Sequence, residues 1–179
     1  MLQLRLTGKL QKEIGLKAAA LSDISDNDTL LGNWYANIFT LDRRKTIIFV
    51  NEKTLYSFII YGIKKTNIEK LSEIFVTGLE QSLFFEGITS SIIKRMSLEY
   101  GLCQFTKTES KAVLGNMNNL VDLYSHWVYH DGGLKKCDLS EIILRINRTP
   151  QRNIGWEYSI NVLRALLGLE ATKVTLLSE

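Results

Sequence analysis

One stretch decides the fold class: GNWYANIFTLDRRKTIIFVNEKTLYSFIIY, residues 32–61. Trp34, Ala36 and Ile38 occupy every second position, which is typical of a strand with two distinct faces. Polar turns then alternate with two β-rich runs, in the order turn 42–45, strand 46–50, turn 51–54 and strand 55–61. Because short connections join neighbouring antiparallel strands, the stretch predicts a three-stranded antiparallel meander.

Most of the chain outside this meander has helical spacing of its apolar residues. The predicted elements are a strand at 2–6, a helical turn at 9–14, helices at 68–86, 90–100 and 116–131, a strand at 102–108, a short element at 140–146 and a helix at 157–167. Thr66 and Glu69 fit a capping box before the first long helix, and Asn116 is the predicted N-cap of the third. The sequence thus predicts an α+β fold, with the meander packed against several following helices.

Composition indicates one domain spanning residues 1–179. Hydrophobic residues make up 45% of the chain and charged residues 23%. The chain contains one proline, Pro150, and no linker-like tract. No apolar run reaches membrane-spanning length and no signal peptide is visible, so we expect a cytoplasmic protein without membrane contact. Cys103 and Cys137 match no disulfide or zinc spacing, and we interpret both as reduced packing residues.

The two histidines, His126 and His130, lie four residues apart on a predicted helix. That spacing puts both imidazoles on one face, which makes them candidates for catalysis or metal binding. No glutamate lies between them and no complete ligand set follows, so we predict neither a metal site nor a cofactor. The alternative interpretation is a pair of surface histidines.

A basic turn is the main candidate binding feature. Arg43, Arg44 and Lys45 follow Asp42 at the tip of the predicted hairpin. Guanidinium groups bind phosphate oxygens in a bidentate way, so this tip is a candidate phosphate contact. The alternative is a solvated turn whose charges discourage pairing with other strands.

A second basic region occurs later in the chain. Its cations are Lys135, Lys136, Arg145, Arg148 and Arg152. If Arg148 and its neighbours fold beside the hairpin tip, the two regions form one electropositive face. Trp34, Tyr35 and Trp156 would then offer stacking surfaces for bases. The alternative is that the aromatic residues belong to the core and the arginines are solvated.

Four segments together resemble a bacterial family of small uncharacterised proteins, a domain of unknown function. They are LGNWYANIFTLDRRKTIIFVNEKTLYSFI at 31–59, KTESKAVLGNMNNL at 107–120, INRTP at 146–150 and YSINVLRALL at 158–167. That family typically has LGDWYAN and NRSVLGSMNDL, whereas this chain has Asn33, Lys111–Ala112 and Asn119 at the variable positions. The missing acids weaken a carboxylate-based catalytic interpretation. The resemblance directs attention to Trp34, Asn37, Arg43, Arg44, Asn51, Asn116, Asn118 and Arg148.

The leading functional hypothesis is a binding module. Its binding residues are Arg43, Arg44, Lys45, Arg148, Asn116, Asn118, Trp34 and Asn37, and its partner is a nucleic acid or an acidic protein. An enzyme acting on a phosphate-bearing substrate is the alternative, with the arginines as an anion clamp and a histidine as acid/base. A third hypothesis is a plasmid- or defence-associated factor that interacts with other proteins.

Overall fold

The computed structural model describes residues 1–65 and 68–173, and side chains 68 and 69 lie outside the description. The main elements are β1 (Leu2–Leu6), α1 (Gly8–Glu13), β2 (Trp34–Leu41), β3 (Arg44–Asn51), β4 (Ser57–Tyr61), α2 (Ile68–Phe85), α3 (Ser90–Glu99), β5 (Cys103–Lys107), α4 (Lys111–His130), α5 (Leu139–Ile146), β6 (Pro150–Gln151), β7 (Glu157–Tyr158) and α6 (Ser159–Leu166). The α+β prediction is confirmed. The predicted Thr66–Glu69 capping box lies outside the description.

The predicted meander supplies three strands of a five-stranded mixed sheet with strand order β4-β3-β2-β1-β5. Strands β2, β3 and β4 pair antiparallel, with Leu41 opposite Arg44 and Val50 opposite Ser57. Strand β1 lies parallel to both β2 and β5. The sheet therefore extends beyond the meander through two strands that are distant from each other in sequence.

Alternation along the strands gives the sheet two apolar faces, and helices cover both. One face packs Trp34 and Phe49 against α2, α3 and α6, with Phe75 of α2 in the centre. The other face packs Tyr35 and Ile48 against α4 and α5. Burying a large apolar side chain contributes about 1.5–3 kcal/mol, so these two layers are the main stabilising feature of the fold.

Helix α4 begins earlier than predicted and packs on β2 and β3. Ser110 Oγ accepts a hydrogen bond from Val113 N at 3.3 Å, which caps the helix at its N-terminus. The predicted cap, Asn116, lies inside the helix instead, because Ser110 already satisfies a terminal N–H group. The helix ends before Gly132 and Gly133, whose φ angles are +95° and +93°.

Among the described helices, none is both long and apolar enough to cross a membrane.

Candidate functional site

The turn between β2 and β3 has a left-handed backbone at both central residues. The φ angles are +46° at Asp42 and +63° at Arg43, while Leu41 pairs with Arg44. Two positive φ angles in a two-residue connection are characteristic of the tight hairpins that match strand twist. The turn thus carries an arginine where glycine is usual, at a cost of about 1 kcal/mol.

Two hydrogen bonds fix this hairpin tip to the end of α4. Asp42 N donates to Tyr129 Oη at 3.0 Å, and Leu134 N donates to Asp42 Oδ2 at 2.9 Å. A side chain at Gly133 would place its Cβ 2.8 Å from Asp42 Oδ2. The Gly132–Gly133 pair therefore ends the helix and also admits the Asp42 carboxylate.

This docking creates a groove of about 590 Å³ between the hairpin and the loop after α4. Arg43, Arg44, Lys135 and Lys136 line it together with Asp42 and Gly132. All four cations are exposed, and none has an ion-pair partner within the part of the chain that the structure describes. We call this surface the basic groove; four cations against one carboxylate make it electropositive.

Lys45 leaves the basic groove for the other face of the sheet. Its ammonium group forms an ion pair with the carboxylate of Glu13 in α1. Consecutive strand residues point to opposite faces, so Lys45 follows Arg44 on the other side. The predicted three-cation tip is therefore divided between the two faces.

The histidines form an exposed ring cluster near the same end of α4. Trp127 lies between them, with ring centroids 5.1 Å from His126 and 5.4 Å from His130. Arg145 stacks over the Trp127 ring at 4.3 Å, and His130 Nδ1 lies 3.0 Å from Asp131 Oδ1. Within residues 1–65 and 68–173, no group of three or more His, Cys, Asp or Glu side chains is arranged to hold a metal ion.

Arg148 does not join the basic groove. Its Nη2 donates to Glu86 Oε2 at 2.9 Å, and its Nη1 donates to Leu144 O at 3.0 Å. The neighbouring Asn147 contacts Ser57, whose strand partner is Val50. Val50 lies six residues beyond Arg44 on β3, a separation of about 20 Å. Of the predicted second basic region, Lys135 and Lys136 thus lie beside the hairpin tip, whereas Arg148 does not.

Comparison with known families adds one result. A family model described as Domain of unknown function (DUF6933) matches residues 3–162, which include the basic groove, the histidines and Arg148. The chain belongs to this family. Comparison with curated proteins finds no match.

In this DUF6933 chain, Trp34 lies in the core. It is fully buried and packs edge to face with Phe58 and Phe75, with ring centroids 5.9 and 5.3 Å away. Its Nε1 donates to Tyr100 Oη at 3.3 Å. Trp34 therefore presents no surface for stacking, unlike Trp156, which is 67% exposed.

The three candidate asparagines lie away from the basic groove's lining. Asn37 is half-buried and accepts a hydrogen bond from Thr7 Oγ1 at 2.7 Å. Asn116 is buried on α4, and its Nδ2 has no hydrogen-bond partner among the described residues. Asn118 is exposed. The structure thus does not gather these side chains into one site with the cations.

Ion pairs with one buried member escaped the sequence analysis. Arg5 is 5% exposed and donates through Nη1 to Glu109 Oε2 at 2.8 Å and to Tyr35 Oη at 3.3 Å. Burial raises the pKa of Glu86, although the hydrogen bond from Arg148 opposes that shift. The signal for these pairs is a charged residue inside an apolar run, such as Arg5 within LQLRL.

Cys137 follows the basic groove but lacks the character of a nucleophile. Burial raises the pKa of its thiol, and the nearby Asp131 carboxylate raises it further. The thiolate is the reactive form of cysteine, so this environment disfavours the nucleophilic state of Cys137.

Proposed function

We propose that this protein is a binding module whose basic groove holds the phosphate backbone of a nucleic acid. The proposal rests on one observation: Arg43, Arg44, Lys135 and Lys136 line a common groove while none has an ion-pair partner within the described residues. Cations that serve folding are normally paired when they are buried. These four are exposed and close together, as phosphate contacts require.

The docked hairpin supports this proposal because it orders the groove before any ligand arrives. Asp42 bonds to both Tyr129 and Leu134, so the backbone that carries Arg43 is fixed. Ordering a binding loop on association reduces affinity, and a loop already in place avoids that cost. Exposed rings at His126 and Tyr129 lie on the same end of α4 and offer surfaces for bases.

Fluorescence anisotropy with labelled single-stranded RNA, single-stranded DNA and duplex DNA across a salt series tests the proposal. We expect tightest binding at low salt, with log K falling linearly against log salt. Lys135→Ala/Lys136→Ala should weaken binding at least about tenfold and reduce the salt slope by roughly 1.4–1.8, because two phosphate contacts are lost.

The matched control is Lys9→Ala/Lys17→Ala, which removes the same charge from two exposed lysines outside the groove. Equal weakening by the two double variants would show a nonspecific charge effect and contradict the proposal. Absence of binding at low salt would also contradict it. Binding of polyglutamate without binding of any nucleic acid would assign the groove to an acidic protein instead.

A second candidate function is an enzyme that acts on a phosphate-bearing substrate. The observation that favours it is the His130–Asp131 contact at 3.0 Å, next to Gly132 of the basic groove. A carboxylate that orients an imidazole is a common acid/base arrangement. Hydrolysis of p-nitrophenyl phosphate that His130→Ala abolishes would support this function, whereas unchanged hydrolysis in that variant would contradict it.

A further inference from the structure

Tyr129 is hydrogen-bonded to both walls of the basic groove, and its ring is exposed. On the hairpin wall, Asp42 N donates to Tyr129 Oη at 3.0 Å. On the wall formed by the loop after α4, Gly132 N donates to the backbone oxygen of Tyr129 at 3.1 Å. Asp42 and Gly132 both line the groove, and Tyr129 is 57% exposed. An aromatic ring therefore lies beside the four cations with much of its surface in solvent.

The ring of Tyr129 is held at both of its ends before any ligand binds. Its backbone belongs to the last turn of α4, and its hydroxyl oxygen is bonded to the backbone of the hairpin tip. Tyrosine has only two side-chain torsions, and here the hydrogen bond restricts them, so little conformational freedom is left to lose on binding. A fixed, exposed ring next to cations is the arrangement on which unpaired bases stack.

Two tryptophans near this end of the chain's surface are less suited to that role. Trp127 is half-buried, and the guanidinium group of Arg145 lies over its ring at 4.3 Å from the centroid. Trp156 is exposed, but it lies in the connection between β6 and β7 and does not line the basic groove. The geometry therefore favours Tyr129 as the stacking residue.

Stacking on a protein ring distinguishes single strands from duplexes. In a duplex the two faces of a base are covered by its neighbours, whereas an unpaired base can turn outwards and stack on an aromatic side chain. We infer that the basic groove takes single-stranded nucleic acid in preference to duplex, and that Tyr129 stacks on one of its bases. The inference rests on the proposed function of the groove, and it adds the form of nucleic acid that the groove selects.

Fluorescence anisotropy with three labelled ligands of equal length tests the inference: an oligothymidylate, an abasic strand and a duplex. The abasic strand keeps the phosphate charges and lacks the bases. We expect the oligothymidylate to bind at least about fivefold more tightly than the abasic strand. It should also bind more tightly than the duplex, although the duplex carries about twice the phosphate charge.

The outcomes of this comparison separate the two proposals. Equal affinity for the oligothymidylate and the abasic strand, or tighter binding of the duplex, would overturn the inference and leave phosphate binding by the groove intact. Absence of binding to all three ligands would contradict the proposed function, and the inference with it.

Variants of Tyr129 separate its ring from its hydroxyl group. The measured quantity is the ratio of the affinities for the oligothymidylate and the abasic strand, because a loosened hairpin weakens the phosphate contacts of both ligands alike. Tyr129→Phe keeps the ring and should keep the wild-type ratio, whereas Tyr129→Ala should bring the ratio close to one. A wild-type ratio in Tyr129→Ala would overturn the assignment of the stacking residue.

Phe84→Ala is the matched control, because it removes an exposed aromatic ring far from the basic groove. Phe84 is 70% exposed on α2, which covers the sheet face opposite to α4. This variant should leave the ratio unchanged. An equal fall of the ratio in Phe84→Ala and Tyr129→Ala would contradict a specific contact at Tyr129.

Discussion

Arg43 and Arg148 lie at opposite ends of β3, and the surroundings of their guanidinium groups differ. Arg43 is exposed at the hairpin tip, without an ion-pair partner in residues 1–65 and 68–173. Arg148 is 31% exposed at its side chain and pairs with Glu86, whose side chain is fully buried. One arginine is free to bind a ligand, while the other holds α5 against the end of α2.

This contrast indicates that a cation paired with a buried carboxylate serves folding, whereas a cation without such a partner is available for binding. Glu86 also lies 3.3 Å from Tyr56 Oη, which bonds to Ser82 Oγ at 2.6 Å. A buried charge with such a network is costly to leave unpaired. Among the described residues that line the basic groove, the one carboxylate is Asp42, which is half-buried and accepts a hydrogen bond from Leu134 N, so loss of the four cations should leave the fold intact.

Arg148→Ala should produce the largest loss of stability. It leaves the buried Glu86 carboxylate without its ion pair, and we expect the free energy of unfolding to fall by about 2–3 kcal/mol, below the full buried-pair value because Arg148 is partly exposed. Urea denaturation measures the change. Arg152→Ala removes an exposed arginine nearby and should change stability by less than about 0.5 kcal/mol. Equal losses of stability in the two variants would show that Arg148 contributes no more to folding than an exposed arginine does.

Gly133→Ala should have the next largest effect, at the opposite end of β3. The new Cβ would meet Asp42 Oδ2 at 2.8 Å, and φ at this position is +93°. We expect a loss of about 1–2 kcal/mol together with weaker nucleic-acid binding, because the hairpin can no longer dock. Gly115→Ala is the control, since nothing lies near its Cβ. Unchanged nucleic-acid binding by Gly133→Ala would show that docking of the hairpin is not needed for binding.

Local patterns were sufficient for the meander and for most helices, because alternation and helical spacing depend on neighbouring residues. Parallel pairing of β1 with β5 joins residues about a hundred positions apart, and no local pattern specifies it. The contact between Glu86 and Arg148 joins residues 62 positions apart and likewise has no local signal. The sequence predicts that the third helix ends at residue 131, but the role of Gly133 in admitting Asp42 requires knowledge of the distant hairpin.

The pH dependence of stability should report on the Glu86 carboxyl, which lies outside the basic groove. Burial raises the pKa of Glu86 in the folded state above its value in the unfolded chain. The stability that this side chain contributes is therefore fully present below the unfolded pKa and is lost as pH rises through the folded pKa. Wild-type protein should therefore lose stability relative to Glu86→Gln as pH rises above the usual glutamate range. Urea denaturation of both proteins at acidic and neutral pH checks this. A difference in the free energy of unfolding between wild type and Glu86→Gln that does not change with pH would contradict the raised pKa of Glu86.

Arg43→Gly should have the smallest effect on stability, and it should be favourable. Glycine adopts the left-handed backbone of position 43 without strain, and its greater freedom in the unfolded chain offsets part of the gain. We expect an increase of about 0.5 kcal/mol in the free energy of unfolding. Arg44→Gly is the matched control, because residue 44 lies in β3, where glycine should cost about 0.5–1 kcal/mol.

Both glycine variants remove one positive charge from the basic groove, so both should weaken nucleic-acid binding while their stabilities change in opposite directions. That combination would show that Arg43 is kept at a strained position for binding rather than for folding. A loss of stability in Arg43→Gly would indicate instead that the arginine supports the hairpin. Arg43 and Arg148 would then both serve folding.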